Sequence, residues 1–555
     1  MQQTICQQLS FQSGRLEIRG HGCINCIPFA YAYLLGWPKI EWNKRNKNNS
    51  KKHTKTLVRP SQIQKLLCNM RKSIFFFAFF YIIPTINCQD EVKLFGPGLQ
   101  PRNIVMPARY FFVNFTSVDE KSYNSNLGND LVIEINGISE KHRPCRVWVN
   151  KLDRKDGSFI VRYKIYETCY HLNIHVFYKK KHVSGPVQPD QCNCPRRNYH
   201  KWLQDYGCPA SYKQIEDNLK LYQKLDMRQQ VQRVIKRFHS PESTSFCHYV
   251  VKDNNVYRDC YGKHVGFNMF ADNILLFLSR QAMLPDMELI INLGDWPLVH
   301  KGTEPLPIFS WCGSVDTLDI VMPTYDITES TLENMGRVSL DALSVQGSID
   351  RPWSEREPRA FWRGRDSRAE RLALIDIARD NPDLINASLT NFFFFRDKEA
   401  EYGPKQPHIS FFKFFDYKYQ INIDGTVAAY RLPYLLAGGG MVLKQDSPYF
   451  EHFYSQLLPW EHYVPVARDL SDLKDRILWA RENEDKAKRI AQNAKEFANK
   501  NLLPQDIICY HAVLFQEWSK RITNKVEVPK DMTHVPQPSF ACDCNDEVQK
   551  AHEEL

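Results

Sequence analysis

The period of the apolar residues changes once along this chain, and that change sets how many bodies it can build. From about 90 to 187 apolar and polar residues alternate with period two, punctuated by Gly137, Asp156-Gly157 and Ser184-Gly185-Pro186. Period two sends successive side chains to opposite faces of a strand. Segments 104–114, 130–136, 145–150, 158–164 and 172–178 read as strands, the first at a sheet edge or split by a bulge because of Pro107. Short strands over such a length make an all-β sandwich, in which Cys145 and Cys169 either bridge or stand as two buried thiols. No titratable cluster stands out there, so an interaction or spacer role is expected. Beyond a Cys/Pro-rich joint at 192–195, amphipathic helical stretches such as 212–238 alternate with short apolar strands at 289–293, 308–310, 419–423 and 441–443. That alternation implies an α/β protein with parallel sheets in two Rossmann-like halves.

At 555 residues the chain is too long for one ordinary domain, and 43% hydrophobic residues are ample for buried cores. The formal charge of +10 invites a nucleic-acid partner, but the excess is local. Residues 1–69 hold eleven Lys/Arg and two Asp/Glu, which leaves 62 basic against 61 acidic residues beyond them. The remainder is near neutral, and no nucleic acid is expected. The leader also carries the low-complexity run Asn43-Lys44-Arg45-Asn46-Lys47-Asn48-Asn49-Ser50-Lys51-Lys52, which builds no core. Met70-Arg71-Lys72-Ser73 then precedes an apolar run at 74–83 and a polar exit at 84–88. This is the layout of a secretory signal peptide at 70–88, too short for the roughly 20 residues that span a bilayer. The expectation is that Met70 is the true start and 1–69 a non-native or disordered leader. The alternative is an unusually long leader or an internal signal-anchor. His552-Glu553-Glu554-Leu555 is a variant of the tail by which a receptor returns escaped proteins to the endoplasmic reticulum, and no later membrane span is read. Twelve cysteines from Cys88 onward suit that oxidising lumen, and Asn114 and Asn386 head sequons for N-glycans.

Three stretches carry candidate chemistry. In Phe361-Trp362-Arg363-Gly364-Arg365-Asp366-Ser367-Arg368-Ala369-Glu370-Arg371, Ser367 and Glu370 have capping-box spacing ahead of a helical pattern. A helix start exposes free N–H groups and about half a positive charge. Arg363, Arg365 and Arg368 crowd that end and need an anion there: a bound diphosphate, or else Glu370, Asp366 or a distant acid. In Asp424-Gly425-Thr426-Val427-Ala428-Ala429-Tyr430-Arg431 a strand ends and Thr426 is placed to cap a helix. The modest Val427 and Ala428 let a ligand approach the backbone, with Arg431 one turn on. In 289–297, Gly294 permits a sharp departure and Pro297 stops the strand, leaving Asp295 at a carboxyl end, where open α/β sheets bind ligands. Asp295 reads either as a general base beside Trp296, on whose ring a sugar packs, or as an ordinary strand-end turn residue. No Asp-x-Asp pair follows a strand, and Cys192-x-Cys194 lacks a second pair, so no metal is expected and arginines are expected to neutralise phosphate.

In this order and spacing the three stretches resemble the CAP10-type glycosyltransferases, the protein O-glucosyltransferase group, over about 192–521. Pro307-Ile308-Phe309-Ser310-Trp311, the aromatic stretch 408–419 and Leu458-Pro459-Trp460-Glu461-His462-Tyr463-Val464-Pro465-Val466 belong to the same likeness. Gly96-Pro97-Gly98-Leu99, the stretch 156–163 and His182-Val183-Ser184-Gly185-Pro186-Val187 resemble a filamin-type immunoglobulin-like repeat over 90–187. With a tail at 522–555, the likeness narrows to the KDEL-motif-containing branch, the type 2/3 protein O-glucosyltransferases. The resemblance implies a GT-B fold of two Rossmann-like lobes, and inverting transfer of glucose from UDP-glucose to serine in EGF-like repeats of Notch type. It implies Asp295 as general base, and Arg365 and Arg431 on the diphosphate with Arg363 and Arg368 beside them. Gly364, Ser367 and Gly425-Thr426-Val427-Ala428 would line the nucleotide, and Trp296, Phe309 and Ser310 the substrate. The family's Arg-Gly-Ser-Arg motif reads Arg363-Gly364-Arg365-Asp366 here, which leaves open which arginine meets the phosphate. Cys509 is implied to pair with Cys192 or Cys194, Cys208 taking the other. Two further readings stand: xylose transfer from UDP-xylose, since a missing hydroxymethyl changes only local packing, and a non-catalytic lumenal protein that binds clients.

Overall fold

The computed structural model describes residues 92–537, with 11–12 and 15–16, apart from 96, 100–107, 116–125, 140, 155–156, 167–168, 185–193, 241, 243–244, 333–340 and 350. The expected signal peptide, the tail motif at 552–555, Pro107, Thr116 and Cys192 lie outside the described residues. The chain divides into Met1–Ile83 and Pro84–Leu555. In the first unit Phe11–Gln12 pairs antiparallel with Arg15–Leu16.

Alternating apolar residues build the sandwich, but the segment expected at a sheet edge, Ala108–Phe115, is paired on both sides. Its strands are β1 (Val92–Phe95), β2 (Ala108–Phe115), β3 (Leu131–Ser139), β4 (Val147–Asp153), β5 (Ser158–Ile165), β6 (Cys169–Tyr178) and β7 (Lys181–Ser184). They form two sheets, ordered β1-β2-β5-β4 and β3-β6-β7. Phe111, Val113, Phe115, Phe159, Val161, Ile174 and Val176 fill the space between. Cys145 and Cys169 are bridged, which settles the open alternative. The strands β2 and β5 are buried on both faces, because Tyr110, Phe112 and Ile160 belong to the core of the next body.

That body begins with three helices, α1 (Tyr199–Asp205), α2 (Lys213–Leu219) and α3 (Met227–Phe238). The stretch 212–238, read as one amphipathic run, is thus two helices, the second started by Asp226, whose carboxylate accepts from Arg228 N. The sheet that follows uses β8 (Phe246–Lys252), β9 (Asn255–Tyr261), β10 (Met287–Asn292), β11 (Ile308–Ser310) and β12 (Ile320–Val321). Helix α4 (Asn268–Gln281) lies between β9 and β10. Its strand order is β12-β11-β10-β8-β9, closed by β18 (Thr533–Val535). Only β10, β11 and β12 run parallel. The expectation of a parallel sheet fails here because Asp253 and Asn254, both at positive φ, make a tight hairpin of β8 and β9. Residues 522–537 still belong to this body rather than to a tail: β18 pairs with β9, and Asn524 donates to Glu288 at 2.9 Å.

The second sheet is parallel throughout. Its strands are β13 (Glu357–Arg365), β14 (Ile385–Asn391), β15 (Tyr417–Asn422), β16 (Met441–Gln445) and β17 (Val464–Val466), in the order β14-β13-β15-β16-β17. Helices α5 (Tyr325–Leu332) and α6 (Ala342–Gly347) precede it. Helix α7 (Ala369–Asp380) links β13 to β14 and α8 (Leu432–Ala437) links β15 to β16. After α9 (Leu473–Glu482) and α10 (Glu484–Asn501), α11 (Pro504–Ser519) returns to the first sheet, where Trp518 Nε1 donates to Glu288 O at 2.7 Å. Cys509 on α11 bridges to Cys208, not to Cys192 or Cys194, because α11 packs beside α1. Cys194 is bonded to a partner outside the described residues, and Cys247–Cys260 is a cross-strand bridge that no spacing announced.

His452 and His511 are 2% and 0% exposed, and burial lowers them to about 3 and about 4. A histidine held neutral in the fold binds fewer protons than its unfolded counterpart. Its contribution to stability is therefore full above about pH 6.5 and is lost as pH falls toward the folded value. Replacing His511 with Leu is expected to make the stability loss between pH 7 and pH 5 smaller by about 2 kcal/mol. Urea midpoints at the two pH values check this, and equal losses in both chains would contradict it.

Candidate active site

The strand β10 is buried along its length and leaves the sheet through Leu293-Gly294-Asp295-Trp296-Pro297. Two buried side chains fix that exit. Asn292 accepts from Gly294 N at 2.9 Å and donates to Trp296 O at 2.7 Å and Ser310 Oγ at 3.1 Å. Asp319, 2% exposed, accepts from the N–H groups of Leu298 and Val299, each at 2.8 Å, and from Ser310 Oγ at 2.7 Å. Burial pushes the Asp319 carboxyl upward, and these three donors pull it back.

The half-buried Asp295 stands on this braced turn. Its Oδ1 accepts from Tyr325 OH and its Oδ2 from Thr426 Oγ1, both at 3.4 Å. Tyr325 is enclosed by the rings of Phe267, Phe270, Trp311 and Tyr430. Burial, with the carboxylates of Asp295 and Asp326, raises its pKa, so the phenol remains a donor. The Cys312 thiol donates to Asp295 O at 3.4 Å, and burial pushes it upward too, so it stays neutral. Trp296 is 52% exposed at the rim.

Thr426 lies in the loop that follows β15 of the second sheet. The chain order there reverses between β13 and β15, and the carboxyl ends on either side of such a reversal form a ligand crevice. Arg371, 4% exposed, joins those two ends. It donates to Arg365 O at 2.9 Å, Ser367 Oγ at 3.2 Å, Ile423 O at 3.1 Å and Asp424 O at 2.7 Å. Burial, then Arg431, Arg365 and Arg368, lowers its pKa to about 9. Arg431 donates to Arg363 O at 2.7 Å, and burial lowers it to about 10. Arg368 reaches Thr426 O at 3.4 Å, Tyr449 OH at 3.3 Å and Glu370 at 3.8 Å. The Arg365 residue is exposed, and its guanidinium makes no hydrogen bond or ion pair among the described residues. So many cations with so few counter-charges make a ready anion site.

Several expectations are corrected. Ser367 does not cap α7: Arg368 holds the N-cap position without a side-chain bond, because Arg371 draws in the Ser367 hydroxyl. Asp366 does not pair with an arginine, since its carboxylate accepts from the N–H groups of Phe393, Phe394 and Phe395. Thr426 caps no helix, as α8 starts only after Arg431. Val427 and Ala428 are 2% and 5% exposed as whole residues, so little of either lies open to a ligand. Arg363 turns to the neighbouring strand and donates to Asn386 Oδ1 at 2.7 Å. Asn386 donates in turn to Tyr417 OH at 2.8 Å, so its amide is engaged within a strand rather than presented for a glycan. Asn114 is half-buried in β2. Phe309 packs on Trp518 at 0% exposure and Ser310 is fully buried between Asn292 and Asp319, so neither lines an open substrate site. Gly364, expected to line the nucleotide, is crowded from within the protein, for a Cβ there would lie 2.5 Å from the Trp362 indole. Sequence reasoning missed Tyr325, Asp319 and Asn292, which carry no local motif. It quoted Arg371 without a role. Among the described residues no group of three or more His, Cys, Asp or Glu is placed to hold a metal, and no helix is long and apolar enough to cross a membrane.

The family model for glycosyl transferase family 90 matches residues 204–554. The chain belongs to that family. A second match, the Filamin/ABP280 repeat, covers residues 88–186, in keeping with the sandwich. Protein O-glucosyltransferase 2 of Danio rerio is 46% identical over 82% of this chain and 93% of its own length. Protein O-glucosyltransferase 3 of Homo sapiens is 43% identical over 81% of this chain and 92% of its own. Among solved structures, TarM shares 13% identity and a TM-score of 0.25 over 29% of this chain and 35% of its own, a likeness too slight to bear on the fold. This family 90 chain is an enzyme, a glycosyltransferase. Replacing Asp319 with Ala removes the bonds that hold Leu298 and Val299, just beyond the Asp295 turn, and Ser310 beside it. A small displacement of a reacting group can cost up to about 100-fold, so glycosyl transfer is expected to fall about tenfold or more. Transfer kinetics on the folded variant check this, and an unchanged kcat would show that the turn holds itself.

Proposed function

We propose that this chain is an inverting protein O-glucosyltransferase that moves glucose from UDP-glucose to a serine hydroxyl in EGF-like repeats of Notch type. On this reading its two sheets are the lobes of a GT-B fold, and it works in the endoplasmic reticulum lumen, returned there through His552-Glu553-Glu554-Leu555. The observation that carries the reading is the approach of Asp295 to Thr426 at 3.4 Å, which brings a half-exposed carboxylate from one sheet to the arginine-bearing strand ends of the other. The names of the relatives, both protein O-glucosyltransferases, support glucose as the sugar and a protein as the acceptor.

The chemistry follows from this placement. Asp295 takes the proton of the serine hydroxyl as that oxygen attacks C1 of the sugar. The bond from C1 to the phosphate oxygen breaks, and its electron pair leaves with UDP. Arg365 and Arg368 offset the charge that grows on the diphosphate, aided by the N-terminal end of α7. Arg371 and Arg431, occupied with strand carbonyls, hold the shape of the edge and add to its positive field. The exposed Trp296 ring is placed beside Asp295 to pack on sugar or acceptor. A single displacement with one base inverts the anomeric centre.

Asp295→Asn is expected to reduce transfer to an EGF-like repeat by about 1,000-fold, the middle of the range for a general base, with the dissociation constant for UDP within twofold of the parent. Arg365→Ala is expected to weaken UDP binding instead. Near-normal transfer by Asp295→Asn would refute the base. With UDP-glucose and UDP-xylose at equal concentration, hexose is expected on the product, and pentose in excess would replace the donor.

A further inference from the structure

The outer face of the sandwich sheet is covered rather than open. Arg162 on β5 is 2% exposed, and its guanidinium pairs with the carboxylate of Asp341 and donates to Ser344 Oγ at 2.6 Å. Asp341 is also the N-cap of α6, accepting from Ser344 N at 2.5 Å. At the far end of the same helix Gln346 Oε1 accepts from Arg154 Nη2 at 2.7 Å, and Gln346 Nε2 donates to Asn499 Oδ1 at 2.7 Å. A Cβ on Gly347 would lie 2.7 Å from the Cβ of Leu152 on β4. Sandwich residues therefore grip α6 from its cap to its last turn.

The other side of α6 meets two helices whose ends reach the candidate site. Ala342 and Val345 pack with Ile327 of α5 and with Leu432, Leu435 and Leu436 of α8. The first residue of α5 is Tyr325, the donor to Asp295, and the N-cap of α8 is Arg431, which holds the Arg363 carbonyl. Tyr434 of α8 donates to Asp326 of α5 at 2.6 Å, so the two helices are also tied to each other. The helix α6 thus wedges the joint between the element that carries the Asp295 partner and the element that follows the Thr426 turn.

We propose that the filamin-like sandwich is a brace for the transferase site and that Arg162 is a positioning residue, acting through α6 on the spacing between Asp295 and the Thr426 turn. A buried ion pair adds little net stability, because desolvation offsets the attraction; fixing one register is its better-attested use. The hydrophobic faces of α6 alone would tolerate sliding, whereas a charge pair at one end and an amide pair at the other do not.

The test uses the full chain and rests on the proposed reaction only for its donor assay. Arg162→Ala strands Asp341 and can fail to fold, so the informative variants are Arg154→Ala and the double variant Arg162→Met/Asp341→Asn, in which Asn still caps α6. At a temperature where both are fully folded, each is expected to raise KM for UDP-glucose at least threefold and to speed amide exchange at 425–435. Arg162→Lys, which keeps the charge, is expected to stay closer to the parent. A KM within twofold of the parent in both variants, whatever the melting temperature does, would overturn the proposal and leave the sandwich a passenger. If the parent transfers no glucose at all, the proposed reaction falls separately, and exchange at 425–435 decides the brace: faster in the variants supports it, equal overturns it.

Discussion

The Arg371 guanidinium sits almost wholly buried among four acceptors, and the two strand ends that make the arginine-bearing edge are joined through it. A buried charge is costly unless its donors are matched, and here the carbonyls of Arg365, Ile423 and Asp424 and the hydroxyl of Ser367 match them while the Trp362 ring lies beneath. The consequence is rigidity where a parallel sheet reverses its order. With Arg371 and Arg431 bound to backbone, the Arg368 side chain is left with long contacts and the Arg365 guanidinium with no hydrogen bond among the described residues. The charge of Arg371 and Arg431 is thus fixed in place before a ligand arrives, the preorganisation that electrostatic catalysis requires.

The opposing wall is built by the same logic with the signs exchanged. Asp319 takes two backbone N–H groups and a hydroxyl, and so holds the turn that presents Asp295. Around Asp295, burial raises both Tyr325 and Cys312, so phenol and thiol stay neutral and add no negative charge beside it. Thr426 then marks where the two walls meet. The sandwich, which resembles a spacer from its sequence, reaches this meeting point through α6.

Much of the fold was legible because periodicity reports which faces are buried. The sandwich strands 158–164 and 172–178, and the strand at 308–310, fall where alternation and apolar runs place them. Strand order was not legible, because pairing is long-range: nothing in β8 says that it will run antiparallel to β10. The same limit governs the disulfides, as Cys208 and Cys509 meet only after α11 has returned. Within the candidate site, Asp295, Arg365 and Arg368 were singled out because strand ends have a local signature, whereas both expected helix caps failed and Arg363 turns away to Asn386. The errors there have one cause. A motif shows that residues are close in sequence, not which way they face, so Phe309 and Ser310 were placed toward substrate when β11 is covered on both sides. Asp319 and Tyr325 act through partners far along the chain and left no pattern to read.

The central claim is that Asp295 drives one in-line displacement against a charge-stabilised diphosphate. The anomeric configuration of the first-formed product, read by NMR from the coupling of its anomeric proton, tests this most directly. From the α-linked sugar of UDP-glucose the account predicts a β-linked glucose on serine. An α-linked product would require a second displacement or a front-face departure, and would contradict it.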